Sequence, residues 1–227
     1  MSKKRRKSKA EVAQKYYRAA RDEMLPFIPE GIKTAIEVGC GDGAFGAALK
    51  AQGKAEEYWG LEIHPPSGET ARQTLDKVFI GNAEHLVDEL PDSYFDVMVF
   101  NDSLEHLVDP FLFLAKAKNK LKPGGVVVAS IPNVRYFKNL YQLIFKKQWR
   151  YVDSGILDRT HLRFFTCESI RDMFEDAGLS IVQLKGIHGS RKRKIRILSL
   201  LSFGLLSDIR FLQFAVVAKV ARLNTSE

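Results

Sequence analysis

The amino-acid sequence predicts a doubly wound α/β fold built on a mostly parallel sheet of seven strands. Three observations support this prediction. Short apolar segments alternate with helical segments over the first 131 residues, which is the rhythm of strand–helix–strand units. A glycine-rich segment at residues 39–43 directly follows the first of the predicted strands. The segment VVVASI at residues 126–131 keeps an unbroken apolar character, as expected of a strand at the centre of a parallel sheet.

Five strands are expected in the first part of the chain, at residues 34–38, 58–63, 78–80, 95–100 and 126–131. The helices that precede and connect them are expected at residues 10–25, 44–52, 70–75 and 110–121. Pro26 and Pro29 stop the first helix because proline lacks an amide hydrogen. Gly53 ends the second helix, and the turn KPGG at residues 122–125 ends the fourth.

The pattern changes after Pro132. We expect a basic, aromatic helix at residues 134–147, an irregular stretch at 150–166, and a helix at 167–177 that ends at Gly178. A strand at 180–184, a short apolar helix at 195–206 and a final strand at 211–220 follow. The last two strands have too short a connection for a repeated crossover, so they are expected to form an antiparallel pair at the sheet edge.

Composition limits the class of protein. Of 227 residues, 45% are hydrophobic and 27% are charged, which excludes a disordered chain, a coiled coil and a collagen. The net charge is +8, and residues 3–9 alone supply six Lys or Arg side chains. Residues 134–152 and 191–196 are also basic. Such clusters bind phosphate, nucleic acid or anionic lipid, or they are simply solvated.

The chain is expected to hold a basic tail at residues 1–9 and a single domain at 10–227. Its two cysteines, Cys40 and Cys167, cannot form a disulfide framework, which indicates a reducing compartment. No apolar run approaches the roughly 20 residues of a membrane span. The basic amino terminus has no apolar segment behind it and does not resemble a secretory signal. A cytoplasmic location is therefore expected, with peripheral contact at the inner membrane face as an alternative.

The glycine segment indicates a nucleotide-like ligand. Gly41, Gly43 and Gly46 fit the dinucleotide fingerprint, and Glu62 lies about 20 residues further on, where it can accept both ribose hydroxyls. A pyrophosphate would be repelled by Glu37 at the strand end, whereas the sulfonium and ammonium groups of S-adenosyl-L-methionine would be attracted. The position of Glu37 thus favours S-adenosylmethionine over a nicotinamide-dependent oxidoreductase. The remaining alternative is a glycine turn without a ligand.

Five segments then occur in order between Glu37 and Asn133: EVGCGDGAFG, GLEIH, GNAEHL, FDVMVFNDSLEHLVDP and LKPGGVVVASIPN. Together they resemble the motifs of the class I S-adenosylmethionine-dependent methyltransferases. The resemblance implies a Rossmann-like methyltransferase fold and S-adenosylmethionine as cofactor, with Asn82 in the place where Asp is commoner. The implied cofactor contacts are Tyr17, Glu37, Gly39, Cys40, Gly41, Gly43, Glu62, Ile63, Asn82, Ala83, Asn101 and His106.

A narrower resemblance covers the second half. The segment DRTHLRFFTCESIRDMFEDAGLSIV, together with SIPNVRY and FLQFAVVAKV, is similar to a bacterial subgroup found with surface-polysaccharide and glycosyltransferase genes. The opening helix with Tyr16 and Tyr17 fits the same subgroup, either as a lid over the cofactor or as packing. The resemblance implies O-methylation of a small molecule or a sugar-containing precursor in polysaccharide biosynthesis.

Two side chains are candidates for the base that a hydroxyl acceptor requires. His161 lies in the irregular stretch after the fifth strand, and its ordinary pKa suits proton removal near neutral pH. Asp102 follows the fourth strand. Each has a structural alternative, in which His161 holds its loop in place and Asp102 stiffens the segment after the strand. His106 is expected to order the same segment.

Arg159 and Arg163 could bind an anionic group of the acceptor or pair with Asp153 and Asp158. The elements at about residues 134–166 and 190–208 are expected to form a cap over the acceptor. Within the second, the apolar helix follows the RKRK cluster, so it could touch an anionic membrane. In the alternative, its leucines pack on the sheet: Leu198, Leu201, Leu205 and Leu206.

Several functions are disfavoured. Residues 101–104, NDSL, lack the two prolines of enzymes that methylate amino groups of nucleic-acid bases, and neither cysteine fits cytosine C5 methylation. No metal cluster is expected, because the histidines and cysteines lack ligand spacing along the chain. A nucleic-acid methyltransferase steered by the basic tail is a less favoured alternative. A catalytically silent methyltransferase-fold binding protein is another.

Overall fold

The computed structural model describes residues 21–220, apart from the side chain of Arg196. Seven strands form one sheet in the order β3-β2-β1-β4-β5-β7-β6. Their bounds are Ile32–Val38 (β1), Ala55–Glu62 (β2), Lys77–Ile80 (β3), Phe95–Asn101 (β4), Leu121–Pro132 (β5), Leu179–Gly189 (β6) and Phe211–Val220 (β7). Strands β1 to β5 are parallel, and β7 is antiparallel to both β5 and β6. The predicted doubly wound sheet with an antiparallel pair at one edge is confirmed, and β6 is the outermost strand.

Helices cover the two faces of the sheet. Their bounds are Ala44–Ala51 (α1), Pro65–Ala71 (α2), Ala83–Leu86 (α3), Pro110–Ala117 (α4), Phe137–Lys146 (α5), Cys167–Asp176 (α6) and Arg193–Leu201 (α7). Helix α4 begins with a proline, and the Asp109 side chain accepts a hydrogen bond from the Leu112 amide. Thr166 and Ser169 form a capping box at the start of α6.

The core consists of two apolar layers, one on each face of the sheet. Alternate residues of β4 point into opposite layers: Met98 and Phe100 into one, Val97 and Val99 into the other. All four side chains are fully buried. Because β4 is covered on both faces, the strand is apolar along its length rather than alternating.

The parallel strands place their carboxyl ends at one edge of the sheet. The ends of β1, β2 and β4 are occupied by the glycine segment, by Glu62 and by Asn101. In doubly wound sheets, ligands bind in the crevice outside these ends. The fold therefore gathers the polar residues singled out from the sequence at the edge where a ligand is expected.

Several other elements have ends that are shifted by a few residues from the predicted bounds, and three predicted elements differ in kind or place from the structure. The helix expected at 70–75 is α2, which begins at Pro65, because proline is well tolerated in the first turn of a helix. The predicted turn at 122–125 lies within β5 as an irregularity opposite β4, between the pairs Phe95–Leu121 and Val97–Val126. The predicted helix at 10–25 falls mostly outside the described residues, and its last part belongs to a 3-10 helix, Asp22–Phe27, that contains Pro26 instead of stopping before it.

The leucines on and after α7 are exposed. Leu198 is 44% exposed, Leu201 71% and Leu205 79%, and Leu206 is partly exposed. The expectation that these side chains pack on the sheet is therefore wrong. Among residues 21–220, no helix has the length and apolar character needed to cross a membrane.

Candidate functional site

The loop between β1 and α1 is shaped by three glycines. Gly39, Gly41 and Gly43 have φ angles of +77°, +56° and +80°, a region that other residues rarely adopt. The amides of Gly39 and Cys40 both donate to the Leu61 carbonyl oxygen, at 2.8 and 3.1 Å. The loop therefore turns tightly over the end of β2, with main-chain groups that a ligand can approach closely.

Glu62 fastens this loop to β2. Its side chain is 3% exposed, and its two carboxylate oxygens accept hydrogen bonds from the amides of Gly41 at 2.8 Å and His64 at 2.7 Å. Each oxygen keeps a further acceptor position, so the carboxylate can still receive two ribose hydroxyls. Ile63, the next residue, is 68% exposed at the same edge and suits packing against an apolar ring.

Glu37 is a second buried acid, 2% exposed, at the end of β1. Asn101 Nδ2 donates to Glu37 Oε1 at 2.7 Å, and the Tyr58 hydroxyl donates to Glu37 Oε2 at 3.3 Å. Burial raises the pKa of Glu37 to about 7, although both hydrogen bonds act in the opposite direction. A cationic ligand would stabilise the ionised carboxylate.

Two buried polar atoms beside Glu37 are left for a ligand. Within residues 21–220, Asn101 Oδ1 and Ser103 Oγ are buried without a hydrogen-bond partner. Such atoms are costly to bury unpaired. These unpaired acceptors and the carboxylates of Glu37 and Glu62 fit a ligand with a cationic group and hydroxyls, such as S-adenosylmethionine. We propose that its methionine end lies near Glu37 and Asn101 and its ribose near Glu62. When bound, that cofactor supplies an activated methyl group.

Asn82 and Ala83 begin helix α3. Asn82 Oδ1 accepts from the Glu84 amide at 2.9 Å, so the side chain serves as the helix cap. The Asn82 Nδ2 group takes no part in this cap, and the predicted contacts of Asn82 and Ala83 with adenine stay predictions. Tyr17 lies outside the described residues.

The side chain of Cys40 points into the core, so the predicted cofactor contact of this residue is left to its main chain. Its side chain is buried in the core, and a Cβ built on Gly60 would lie 2.5 Å from the Cys40 sulfur. Burial also raises the pKa of the thiol well above its ordinary value. Only the main chain of Cys40 can face a ligand, so the residue packs the loop against β2. Both cysteines are free thiols.

Asp102 is held in a polar cluster. Its carboxylate pairs with Arg21 and accepts hydrogen bonds from Ser130 Oγ at 2.8 Å and Gln213 Nε2 at 2.7 Å. Its φ is +54°, and its amide donates to the Ser130 side chain at 3.1 Å. Because the carboxylate has partners on several sides, the geometry favours a structural role, in which Asp102 stiffens the segment after β4, over a role as the general base.

The other predicted base, His161, meets two residues that follow β4. His161 Nε2 lies 3.9 Å from Glu105 Oε1, and the rings of His161 and His106 are in edge contact with centroids 4.7 Å apart. Burial raises the pKa of Glu105 well above its ordinary value, and the nearby Asp102 carboxylate adds to this. Burial lowers the pKa of His106, as does the neighbouring His161. His106 also contacts the Thr160 carbonyl oxygen through Nδ1, and its predicted contact with the cofactor stays a prediction.

Sequence analysis missed Glu105, which is 1% exposed. The available signal was an acid between Leu104 and His106, directly after an apolar strand. Glu105, His106 and His161 do not have the spacing of a metal motif along the chain, which is why no metal cluster was expected. The fold brings ligating atoms of Glu105, His106 and His161 within 4.8 Å of one another.

The arginines of the irregular stretch have partners. Arg159 Nε lies 3.2 Å from Asp153 Oδ1, with both side chains exposed, as the pairing alternative expected. Arg163 donates to the Val108 carbonyl oxygen, and Asp158 accepts from Thr160.

A seven-stranded sheet of this order, with a glycine loop after β1 and carboxylates at the ends of β1 and β2, defines the class of S-adenosylmethionine-dependent methyltransferases. The chain belongs to the methyltransferase domain family, whose model matches residues 9–184. It is an S-adenosylmethionine-dependent methyltransferase, so the predicted enzyme class and cofactor are confirmed, and the nicotinamide alternative is set aside.

Relatives agree with this assignment. A ubiquinone biosynthesis O-methyltransferase of Cereibacter sphaeroides is 27% identical over 175 residues, which cover 74% of this chain and 68% of that protein. A demethylmenaquinone methyltransferase of Staphylococcus aureus is 26% identical over 178 residues, covering 68% and 71%. A solved S-adenosylmethionine-dependent methyltransferase from Archaeoglobus fulgidus has a TM-score of 0.66 at 20% identity, covers 93% of this chain and 94% of that one, and shares the fold.

Proposed function

We propose that this methyltransferase transfers its methyl group to a hydroxyl oxygen of a small-molecule acceptor. The observation that carries this proposal is the polar cluster of the buried Glu105 and the partly exposed His106 and His161, beyond Asn101 at the carboxyl edge of the sheet. A hydroxyl must lose its proton during methylation, whereas an activated carbon or a neutral amine needs less assistance. The relative that acts as an O-methyltransferase in ubiquinone biosynthesis supports oxygen as the methylated atom.

The outer surface supports an acceptor with an apolar part and an anionic part. Helix α5 has no buried residue, and Ile144 and Phe145 are 61% and 71% exposed. Near α7, a depression of about 390 Å³ is lined by Ser199, Leu200, Phe203, Gly204 and Arg210. A lipid-linked sugar or a related glycan precursor combines these properties, and residues 134–166 and 190–208 would then cap it.

The experiment is a methyl-transfer screen with labelled S-adenosylmethionine, after binding has been measured by calorimetry. The acceptor panel contains quinols, nucleotide sugars, lipid-linked sugars and, as a comparison, RNA and DNA. We expect label on a hydroxyl oxygen of a small molecule, located by mass spectrometry. Label on nitrogen or on nucleic acid would contradict the proposal. Cofactor binding without transfer to any acceptor would favour the silent binding protein.

We also propose contact with an anionic membrane surface. The apolar patch, defined here as Leu200, Leu201, Phe203 and Leu205, is 71–98% exposed in its individual side chains. The basic segment at residues 191–194 precedes it and is exposed. Basic side chains beside exposed apolar ones are the combination that binds the interface of anionic lipids.

Liposomes with anionic lipid should therefore retain the protein at low salt and release it at high salt. Replacing Arg191, Lys192, Arg193 and Lys194 with glutamine should weaken retention at least tenfold, since each basic residue near such a surface contributes about 1 kcal/mol. The matched control removes four basic charges elsewhere, at Lys33, Lys50, Lys54 and Lys116. Equal losses in the two variants, or no retention of the unaltered protein at low salt, would rule out this surface and favour a water-soluble acceptor.

A further inference from the structure

Glu105, His106 and His161 are brought together by two segments that are distant in sequence. Glu105 and His106 belong to a single 3-10 turn, Leu104–His106, after β4. The His161 segment is fastened to this turn because the amides of Leu162 and Arg163 both donate to the Glu105 carbonyl oxygen, at 2.8 and 3.1 Å. The side-chain atoms capable of ligation lie within 4.8 Å of one another.

Both histidines use the same ring nitrogen, Nδ1, for a contact with a main-chain carbonyl oxygen. His161 Nδ1 lies 2.9 Å from the Ile156 carbonyl oxygen, and His106 Nδ1 lies 3.1 Å from the Thr160 carbonyl oxygen. A carbonyl oxygen only accepts, so each Nδ1 carries the hydrogen and each neutral ring keeps its lone pair on Nε2. Histidines that bind metals are oriented in this way, with the second ring nitrogen donating to a carbonyl or carboxylate.

The Glu105 carboxylate supplies an independent observation. The residue is 1% exposed, and within residues 21–220 neither carboxylate oxygen has a hydrogen-bond partner. His161 Nε2 lies 3.9 Å from Glu105 Oε1, which is too far for a hydrogen bond. A buried carboxylate with both oxygens unpartnered is costly. A cation between the three side chains would satisfy the carboxylate and both lone pairs together.

We propose that Glu105, His106 and His161 bind a divalent transition-metal cation of the zinc type. One carboxylate and two imidazoles form the three-ligand set of open catalytic zinc sites, whereas magnesium and calcium prefer oxygen ligands alone. Around tetrahedral zinc, ligand atoms lie about 3.3 Å apart, so the 3.9 Å separation of His161 Nε2 and Glu105 Oε1 must shorten by about half an ångström. All three ligating atoms lie within 4.8 Å of one another, so no pair has to approach by more than about 1.5 Å, a change that side-chain rotations would supply.

We assign the cation a role in activating the acceptor, and this part of the inference rests on the proposed function. An acceptor hydroxyl placed at the open position has its pKa lowered, and its proton leaves to solvent. The acceptor oxygen then forms a bond to the methyl carbon while the carbon–sulfur bond breaks. The electron pair of that bond remains on sulfur and neutralises the sulfonium, so no group is oxidised or reduced. His161 would act as a metal ligand in this scheme rather than as a free base.

The test begins with metal binding in the absence of cofactor and acceptor. The full chain is dialysed against a chelator and then titrated with Zn²⁺ by calorimetry, with Mg²⁺ as a comparison. We expect one Zn²⁺ site per chain and much weaker binding of Mg²⁺. Glu105→Gln and His161→Asn should each weaken Zn²⁺ binding at least tenfold. His188→Asn is the matched control, because His188 Nε2 also lies near a carboxylate, 3.4 Å from Glu23 Oε1, but outside the cluster.

A second measurement guards against misfolded variants. Zn²⁺ should raise the thermal midpoint of the unaltered protein and of His188→Asn, and it should leave the midpoint of Glu105→Gln nearly unchanged, because a ligand stabilises only the state that binds it. Undiminished Zn²⁺ affinity in both cluster variants, or no Zn²⁺ binding by the unaltered protein, would overturn the site.

The proposed function is separable from this inference. Methyl transfer that continues unchanged in chelator, together with absent Zn²⁺ binding, would overturn the metal site and leave the O-methyltransferase proposal standing. Zn²⁺ binding at the cluster without hydroxyl methylation would keep the site and remove its role toward the acceptor. We expect chelation to abolish transfer while the affinity for S-adenosylmethionine changes less than threefold.

Discussion

Replacing Glu62 with alanine is expected to weaken S-adenosylmethionine binding by two orders of magnitude or more. We propose that the carboxylate accepts two ribose hydroxyls, and each hydrogen bond to a charged group contributes about 1.5–3 kcal/mol. Losing both corresponds to more than about 100-fold in affinity, since about 1.4 kcal/mol is tenfold. The substitution also releases the Gly41 and His64 amides, which the carboxylate holds in the structure. Calorimetric titration with S-adenosylmethionine measures the effect directly.

Two further variants distinguish the loss of a direct contact with the cofactor from a disturbance of the glycine loop. Glu62→Gln keeps the volume of the side chain and one acceptor oxygen, so its loss of affinity should lie between those of the unaltered protein and the alanine variant. Glu56→Ala changes an exposed acid on the same strand and should leave binding unchanged. A loss below threefold in Glu62→Ala would show that Glu62 is not the ribose acid.

The fold was largely predictable because its strongest signals are local. The strand Phe211–Val220 has the predicted bounds, and α1 and β4 differ from prediction by one residue at one end. Differences arise where a local signal has more than one structural outcome. Pro65 and Pro66 start a helix, and Gly124, with φ of +81°, allows an irregularity within β5 instead of a turn before it.

The cofactor half of the site was also predictable, because it follows from strand ends. Glu37, Glu62 and Asn101 each close a parallel strand, so predicting the sheet places them at one edge. Cys40 could not be placed in this way. Whether a residue in a glycine loop points outward or into the core depends on its φ and ψ, and here the side chain fills space above Gly60.

The acceptor half was the least predictable. His161 is 56 residues from Glu105 in sequence, and the contact depends on how an irregular segment returns to the end of β4. The exposed leucines after α7 were missed for a related reason. A periodic apolar pattern shows that a helix has an apolar face, but it does not show whether the sheet covers that face.

Affinity for S-adenosylmethionine is expected to fall on the order of tenfold as the pH is lowered from 7.5 to 6.0. Burial raises the pKa of Glu37 to about 7, so the carboxyl is mostly ionised at the upper end of this range and mostly protonated at the lower. Only the ionised form attracts the cationic cofactor. The ammonium of the cofactor does not account for the change, because α-amino groups titrate near pH 8 and become more fully protonated as the pH falls, which would raise the affinity.

The raised pKa of Glu37 makes the stability of the folded protein change with pH in the direction opposite to cofactor affinity. A carboxyl whose pKa is raised from its ordinary 4.5 to about 7 in the folded state binds its proton more tightly there than in the unfolded chain. Its contribution to the free energy of unfolding is therefore present at low pH and is lost as the pH rises through 7. The protein without cofactor should become less stable across the range in which cofactor affinity increases, as far as Glu37 determines both.

Glu37→Gln provides the control, because glutamine keeps the size of the side chain and its ability to form hydrogen bonds but has no carboxyl group that titrates. This variant should bind more weakly than the unaltered protein at pH 7.5 and show a nearly flat affinity between pH 6.0 and 7.5. Calorimetry at pH 6.0 in buffers of different ionisation enthalpy should also show the release of close to one proton on binding to the unaltered protein and almost none with the variant. If the pH dependence persists in Glu37→Gln, another group is responsible for the titration. If the unaltered protein has equal affinities at both pH values, Glu37 does not contact the cationic end of the cofactor.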